Sequence, residues 1–446
     1  MFPNPHDAFP LPPKPNLDQY KKRAKDLLKA SRSPDAAALQ SWAADWIASL
    51  LRLSNNSSVI LSEAAAQRSR AATQSKACPE PAEGDPLPAG SSDSPKGSSR
   101  QGLIADHQTT QLETFAREKL SDAPALTSAQ FVIARAHGFE SWPQLVKHIE
   151  SVAREDSAVD HFERAVDAII TGDKTTLADL LKKYPDLIRA RSTRRHQATL
   201  LHYVAANGVE DYRQKTPQNI VDIATLLLDS GADVNAPADL YGGSTTLSLV
   251  ATSVHPERAG VQNSLLQLLL DHGASIDRLN NDAANSPTLT VNVCLANGRQ
   301  QAAEFLADRG AKLDVEAAAG LGRLDVVKTF FDDSGALTSA ATDLQKERAL
   351  CWASEYGKNE TVECLLTRGV PIQSQANTGQ TPLHWAVIGR QADTIALLLS
   401  HGADLEATNA YGGTPLGQAL WSAAHSDSPA AYQKIAALLK LRGAKS

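Results

Sequence analysis

The chain has 446 residues, 42% of them hydrophobic, 21% charged and 5% aromatic, a composition and length that suit two or three domain-sized units. No stretch approaches the roughly 18 consecutive apolar residues of a membrane span. The net charge of −6, from 44 Lys and Arg against 50 Asp and Glu, is too near neutral to announce a polyanion partner for the whole chain.

In chain order, Met1 to Pro15 is broken by prolines and lacks the apolar core of a signal peptide. Residues 1–15 are therefore expected to be disordered, and the chain is expected in the cytoplasm. Asn16 is placed to cap a helix whose face is Leu17, Tyr20, Ala24, Leu27 and Leu28. Pro34 is expected to start a second helix with Leu39, Trp42, Trp46, Leu50 and Leu51. Cys78 to Gly102 is rich in Pro, Gly, Ser and Ala without periodicity, the signature of a disordered insertion at 78–102. Helical spacing resumes at Leu112, Phe115 and Leu120, then runs from Thr127 to His137, where Gly138 stops it. Ser141-Trp142-Pro143 opens a last helix through Leu145 and Ile149. Residues 16–155 thus form a small helical bundle. Ala134 and Gly138 before the Ser141 helix have the spacing of a DNA-reading helix-turn-helix, but Pro143 falls inside the would-be recognition helix, and acids outnumber bases from Leu112 to Glu150. The basic run Lys21, Lys22, Arg23, Lys25 and Lys29 reads as a solvated helix face.

Beyond residue 160 the chain repeats itself. Thr381-Pro382-Leu383-His384-Trp385-Ala386 returns 33 residues later as Thr414-Pro415-Leu416-Gly417-Gln418-Ala419. An apolar helix ending in Gly-Ala recurs at Gly231-Ala232, Gly273-Ala274 and Gly402-Ala403, with weaker copies at Gly310, Gly335, Gly369 and Gly443. Thr caps the first helix, Pro presets its first turn, and Gly supplies the left-handed end of the second. Segments such as Asp404-Leu405-Glu406-Ala407 then form an extended hairpin finger closed by Gly242-Gly243 or Gly412-Gly413. One such unit cannot bury its apolar face alone, whereas stacked units can. Units begin near Phe162, Thr199, Thr245, Leu289, Val315, Arg348, Thr381 and Thr414, about eight in all over 160–446. Val315 follows Leu313 and Asp314 so closely that the finger before it is expected to be short or missing.

This motif set resembles the ankyrin-repeat family from Phe162 onward. The resemblance implies an all-α solenoid of helix-turn-helix units with hairpin fingers, preceded by the helical bundle. Arg390 stands where the family places a Gly between the helices. Phe131 to Arg135 and Gly138 to Trp142 are similar to the N-terminal helical segment of some bacterial ankyrin-repeat proteins, which carries no known activity.

No enzyme constellation is present. G-x-S-x-G, H-E-x-x-H and G-x-x-x-x-G-K-[ST] do not occur, and Gly320-x-Gly322 lacks the third glycine of a dinucleotide loop. Cys78, Cys294, Cys351 and Cys364 contain no C-x-x-C, and Cys351 and Cys364 read as small packing groups. His202 and His384 occupy the repeat's own His position, where the imidazole bonds neighbouring loops. No cofactor or metal is expected.

The resemblance implies that a partner protein docks on the concave side, formed by fingers and first helices. By position this singles out Asp239, Tyr241, Arg278, Asn280, Gln375, Asn377, Gln380, Asn409 and Tyr411 on fingers, and Asn207, Glu355, Tyr356 and Ile388 on inner helices. Tyr241 and Tyr411 each precede Gly-Gly, and an aromatic beside a tight turn suits an anchor. A second surface comes from inserted loops. Thr381 and Gly402 are 21 residues apart, but Thr199 to Gly231 spans 32, Thr245 to Gly273 spans 28 and Thr414 to Gly443 spans 29. Insertions in consecutive units share a face, so Tyr212 and Arg213 are expected to join His255 and Arg258 in one polar patch. The expected function is a non-catalytic scaffold or adaptor. The alternatives are a nucleic-acid-binding regulator using the N-terminal helices and an effector enzyme with a site assembled from scattered residues.

Overall fold

The computed structural model describes all residues except 1–6, 13–14, 56–99, 122–123, 155, 278–288, 376–377, 427 and 446. The described residues contain 22 α-helices and two short 3-10 turns, and they divide into two compact units, one up to residue 287 and one from 288 onward.

The first unit opens with α1 (Leu17–Ser31), α2 (Ala38–Asn55), α3 (Arg100–Ser121), α4 (Leu126–Ala136) and α5 (Trp142–Val152). Asn16 caps α1 by accepting from Asp18 N at 2.9 Å. The second helix begins at Ala38 rather than Pro34, because Asp35 turns the chain first by accepting from Ala37 N. Tyr20, Leu27, Trp42, Trp46, Leu112 and Ile133 share one core. The expected insertion at 78–102 lies outside the described residues except for its last three, which belong to α3.

The expectation of disorder over 1–15 is corrected for the described part of the segment. Ala8 and Phe9 are buried; Phe9 N donates to Ala136 O at 2.7 Å, and the Phe9 ring meets Trp46 edge-on at 5.3 Å. An isolated proline-rich stretch has no reason to order, but the groove beside α4 supplies apolar surface and a spare carbonyl. Gly138 makes the groove: at φ +80 its missing Cβ would sit 3.1 Å from the Ala8 methyl.

The repeats of this unit follow: α6 (Ala158–Thr171) and α7 (Lys174–Lys183), α8 (Leu200–Tyr203) and α9 (Ile220–Asp229), then α10 (Thr246–Thr252) and α12 (Gln262–Asp271), with α11 (Val254–Arg258) inserted between the last pair. The second unit contains α13 (Thr290–Ala296) with α14 (Gln300–Ala307), α15 (Val315–Leu321) with α16 (Leu324–Thr329), α17 (Asp343–Glu355) with α18 (Asn359–Thr367), α19 (Pro382–Ile388) with α20 (Ala392–Ser400), and α21 (Pro415–His425) with α22 (Pro429–Leu441). Residues 308–314 alone separate α14 from α15, so no full finger forms there.

Local chemistry sets the helix ends. In α8 and α19, Thr199 and Thr381 bond the N3 backbone while the imidazoles of His202 and His384 return to the cap. The second helices end on left-handed glycines such as Gly402 at φ +86. The fingers are turns rather than the extended hairpins expected: among the described residues, bridging is limited to the isolated pairs Arg191 with Thr199 and Phe331 with Leu337. Neighbouring turns are joined by single backbone bonds instead, Asp239 N to His196 O at 2.8 Å and Ala410 N to Thr378 O at 3.0 Å.

Candidate interaction surface

The finger at 237–244 is closed by Ala238 N to Ser244 O at 3.0 Å. This turn drives Leu240 inward and holds Tyr241 at φ +44 with half its surface in solvent (51%). Asp239 is exposed, with its N–H committed to His196. In the second unit, Asn409 accepts from both Tyr411 N and Gly413 N at 2.9 Å through Oδ1. That inward-turned amide shapes the finger and is buried, which corrects its assignment as a contact residue. Tyr411, at the tip it creates, is 37% exposed. Gln375 is exposed, whereas Arg278, Asn280 and Asn377 lie outside the described residues.

Of the inner-helix residues, Glu355 and Ile388 are buried and Asn207 and Tyr356 half-buried. Glu355 is only 6% exposed, and burial pushes its carboxyl up to about 8. Tyr356 crosses Gly320, where a Cβ would come within 2.8 Å of Leu295, and donates its hydroxyl to Leu295 O. Ile388 is buried, and its carbonyl accepts from Tyr432 Oη at 2.9 Å. Asn207 donates to Leu249 O at 3.1 Å and to Thr252 Oγ1 at 2.9 Å, tying its repeat to the next. These side chains stack units together and offer a partner little surface.

In the inserted loop, only Arg213 of the four expected patch residues is withdrawn from the surface. Arg213 is buried, and its Nη2 lies 2.5 Å from Glu163 and 3.5 Å from Asp167. Arg194 contacts Glu163 at 2.7 Å through Nη1 and Glu210 at 2.6 Å through Nε. Glu210, fully buried, also has Arg213 at 3.6 Å and His196 at 3.6 Å. Burial alone would raise the Glu163 carboxyl, but Arg194 and Arg213 outweigh it and hold the group at about 2. Glu210 is driven down by the same two guanidinium groups against its own desolvation. Next to this lattice, His148 bonds Thr193 Oγ1 at 2.7 Å, and burial lowers it to about 3. The Tyr212 hydroxyl faces Arg194 at 3.4 Å. Of the expected patch, Arg258 is exposed and His255 half-buried. Sequence inspection missed Glu163, Arg194 and Glu210, because the polar run Ser192 to His196 reads as an ordinary surface loop.

A family model of ankyrin repeats in three copies matches residues 315–409 and 350–428. Residues 315–428 of the chain are thus ankyrin repeats. Two solved structures are similar. The ankyrin repeat domain of Bcl-3, a member of the IkappaB protein family, is 19% identical, with 62% of this chain and 97% of that chain covered and a TM-score of 0.30. The human ASB11 ankyrin repeat domain is 20% identical, with 60% of this chain and 96% of that chain covered and a TM-score of 0.33. Ankyrin repeats are in general protein–protein interaction modules.

Within the ankyrin units the capping histidines are structural: His384 Nε2 meets Gly413 O at 2.9 Å, and burial lowers His202 to about 4, so it stays neutral. The inner helices also carry a pair that the sequence did not reveal, Trp352 Nε1 donating to Glu316 Oε2 at 3.2 Å. Burial, assisted by Asp314, pushes Glu316 up to about 7. Among the described residues no group of three or more His, Cys, Asp or Glu is arranged to hold a metal ion, and no helix is long and apolar enough to cross a membrane.

Proposed function

We propose that this ankyrin-repeat protein is a non-catalytic adaptor that binds a partner protein through its finger tips, with Tyr241 and Tyr411 as the anchors. The observation that carries the reading is the exposure of both rings, each held by a closed turn beside Gly-Gly, in a family whose inner residues here are committed to packing. A rigid aromatic with two rotatable bonds loses little entropy on docking and removes a large apolar area from water. Asp239 and Gln375 would add rim contacts, and Arg258 with His255 a separate polar edge.

The nucleic-acid alternative is not favoured, because His148 on α5, the would-be reading helix, is turned onto Thr193. The test is affinity mass spectrometry of the full chain against Tyr241→Ala and Tyr411→Ala variants matched for thermal unfolding. Enrichment of a protein that is lost from either variant supports the reading. Identical enriched sets from all three overturn the assignment of these anchors.

A further inference from the structure

In the second unit, the loop joining α16 to α17 borders an open cavity of about 600 Å³ whose wall includes Thr338, Ser339, Asp343, Lys346 and Arg368. Two of its charges cancel, since Lys346 Nζ lies 3.0 Å from Asp343. Of the loop's two acids, Asp332 is folded back to accept from Ser334 N at 2.9 Å and Ala336 N at 3.0 Å, and neither it nor Asp333 belongs to the cavity wall. Arg368 is left as the uncompensated charge. Its guanidinium is held 5.3 Å over the Phe331 ring, and Nη1 is committed to Cys364, at 2.8 Å from Sγ and 3.5 Å from the carbonyl oxygen. Nε is covered by protein yet has no acceptor among the described residues.

We propose that this cavity binds a phosphate monoester group through the Nε and Nη2 edge of Arg368. That edge is the one a guanidinium uses for paired bonds to an oxyanion, and Nη1 is already occupied elsewhere. An acceptor here would satisfy a buried donor that has no partner among the described residues. A carboxylate would use two donors and stop there. The third oxygen of a phosphate has further donors on the wall in the hydroxyls of Ser339 and Thr338; the Thr338 oxygen accepts from Ala340 N at 3.4 Å and keeps its proton to give. Neither Tyr241 nor Tyr411 belongs to the cavity wall, so either proposal can fail without the other.

The test is calorimetric titration of the full chain at constant ionic strength with inorganic phosphate, phenyl phosphate, a phosphoserine peptide and acetate. Saturable binding of the three phosphates is expected, at least tenfold weaker in Arg368→Gln and in Arg368→Lys, which keeps the charge but loses the paired edge. Because Arg368 also stacks on Phe331, a Thr338→Val, Ser339→Ala variant with that stacking intact supplies a second measure, expected to weaken phosphate roughly threefold. A peptide that binds tenfold tighter than phenyl phosphate assigns the group to a phosphorylated partner, and equal affinity assigns it to a free phosphate ester. The proposal is overturned if no saturable binding occurs, if acetate equals phosphate, or if the Arg368 variants bind phosphate like the wild type.

Discussion

Replacing Glu210 with Gln changes almost no volume and removes one negative charge from a buried lattice. The two guanidinium groups of Arg194 and Arg213 would then face Glu163 alone, with Asp167 only at the rim. Two unit charges about 4 Å apart interact by about 4 kcal/mol at an effective dielectric of 20. Removing one partner of a buried pair costs about 3–5 kcal/mol, because the other is left desolvated and uncompensated. We expect Glu210→Gln to lose about that much in urea unfolding followed by far-ultraviolet circular dichroism. Adding Arg213→Met should recover at least about 1 kcal/mol of it, since the lattice is again balanced as Arg194 with Glu163. Both values should change little between 50 and 500 mM salt, because buried charges are poorly screened. The same lattice sets an acid limit: Glu163 sits below its ordinary range, so its contribution is present above about pH 4.5 and is lost as the pH falls toward 2. A loss under about 1 kcal/mol for Glu210→Gln, or one that disappears in salt, would refute the reasoning and place the charges in solvent.

Glu355 behaves oppositely. Its raised carboxyl makes the folded state hold a proton, so its stabilising share is complete below about pH 4.5 and is lost as the pH rises to about 8. Thermal melts of wild type and Glu355→Gln should therefore diverge with rising pH in favour of Gln, by on the order of a few kcal/mol at pH 8; parallel curves would contradict the burial of this acid. Arg390 occupies φ +61, a conformation costing a non-glycine residue roughly 1 kcal/mol, while its guanidinium lies 5.7 Å over the Tyr432 ring. Arg390→Gly should exceed Arg390→Ala in stability by about 1 kcal/mol, and equal midpoints would show that the backbone is unstrained. Gly138→Ala should cost about 1–2 kcal/mol and release the Phe9 segment to proteolysis. An added Ala8→Gly should restore part of that loss, and no restoration would rule out the contact with Ala8 as a cause.

The elements legible in the sequence were those whose cause is local. Thr199 with His202 and Thr381 with His384 are three residues apart, so their capping bonds follow from spacing alone. The terminal glycines, the α1 cap at Asn16 and the apolar faces of the bundle follow equally from neighbouring residues. The exposure of Tyr241 and Tyr411 could be anticipated because Gly-Gly marks the turns that carry them. The candidate sites misread in the sequence share a different cause. Arg213 meets Glu163 across 50 positions, Tyr356 reaches Leu295 across 61, and Phe9 lies against His137 across 128.

The sequence by itself determined the helical period, the repeat length and the chemistry at helix ends such as Asn16, Thr381 and Gly402, since these are settled within a turn or two of the backbone. Only the tertiary structure decided which polar residues lie inside. Arg and Glu carry the same solvated character in a one-dimensional reading whether they line a groove or neutralise one another in a core, and the difference arises from which distant charge folding brings within about 3 Å.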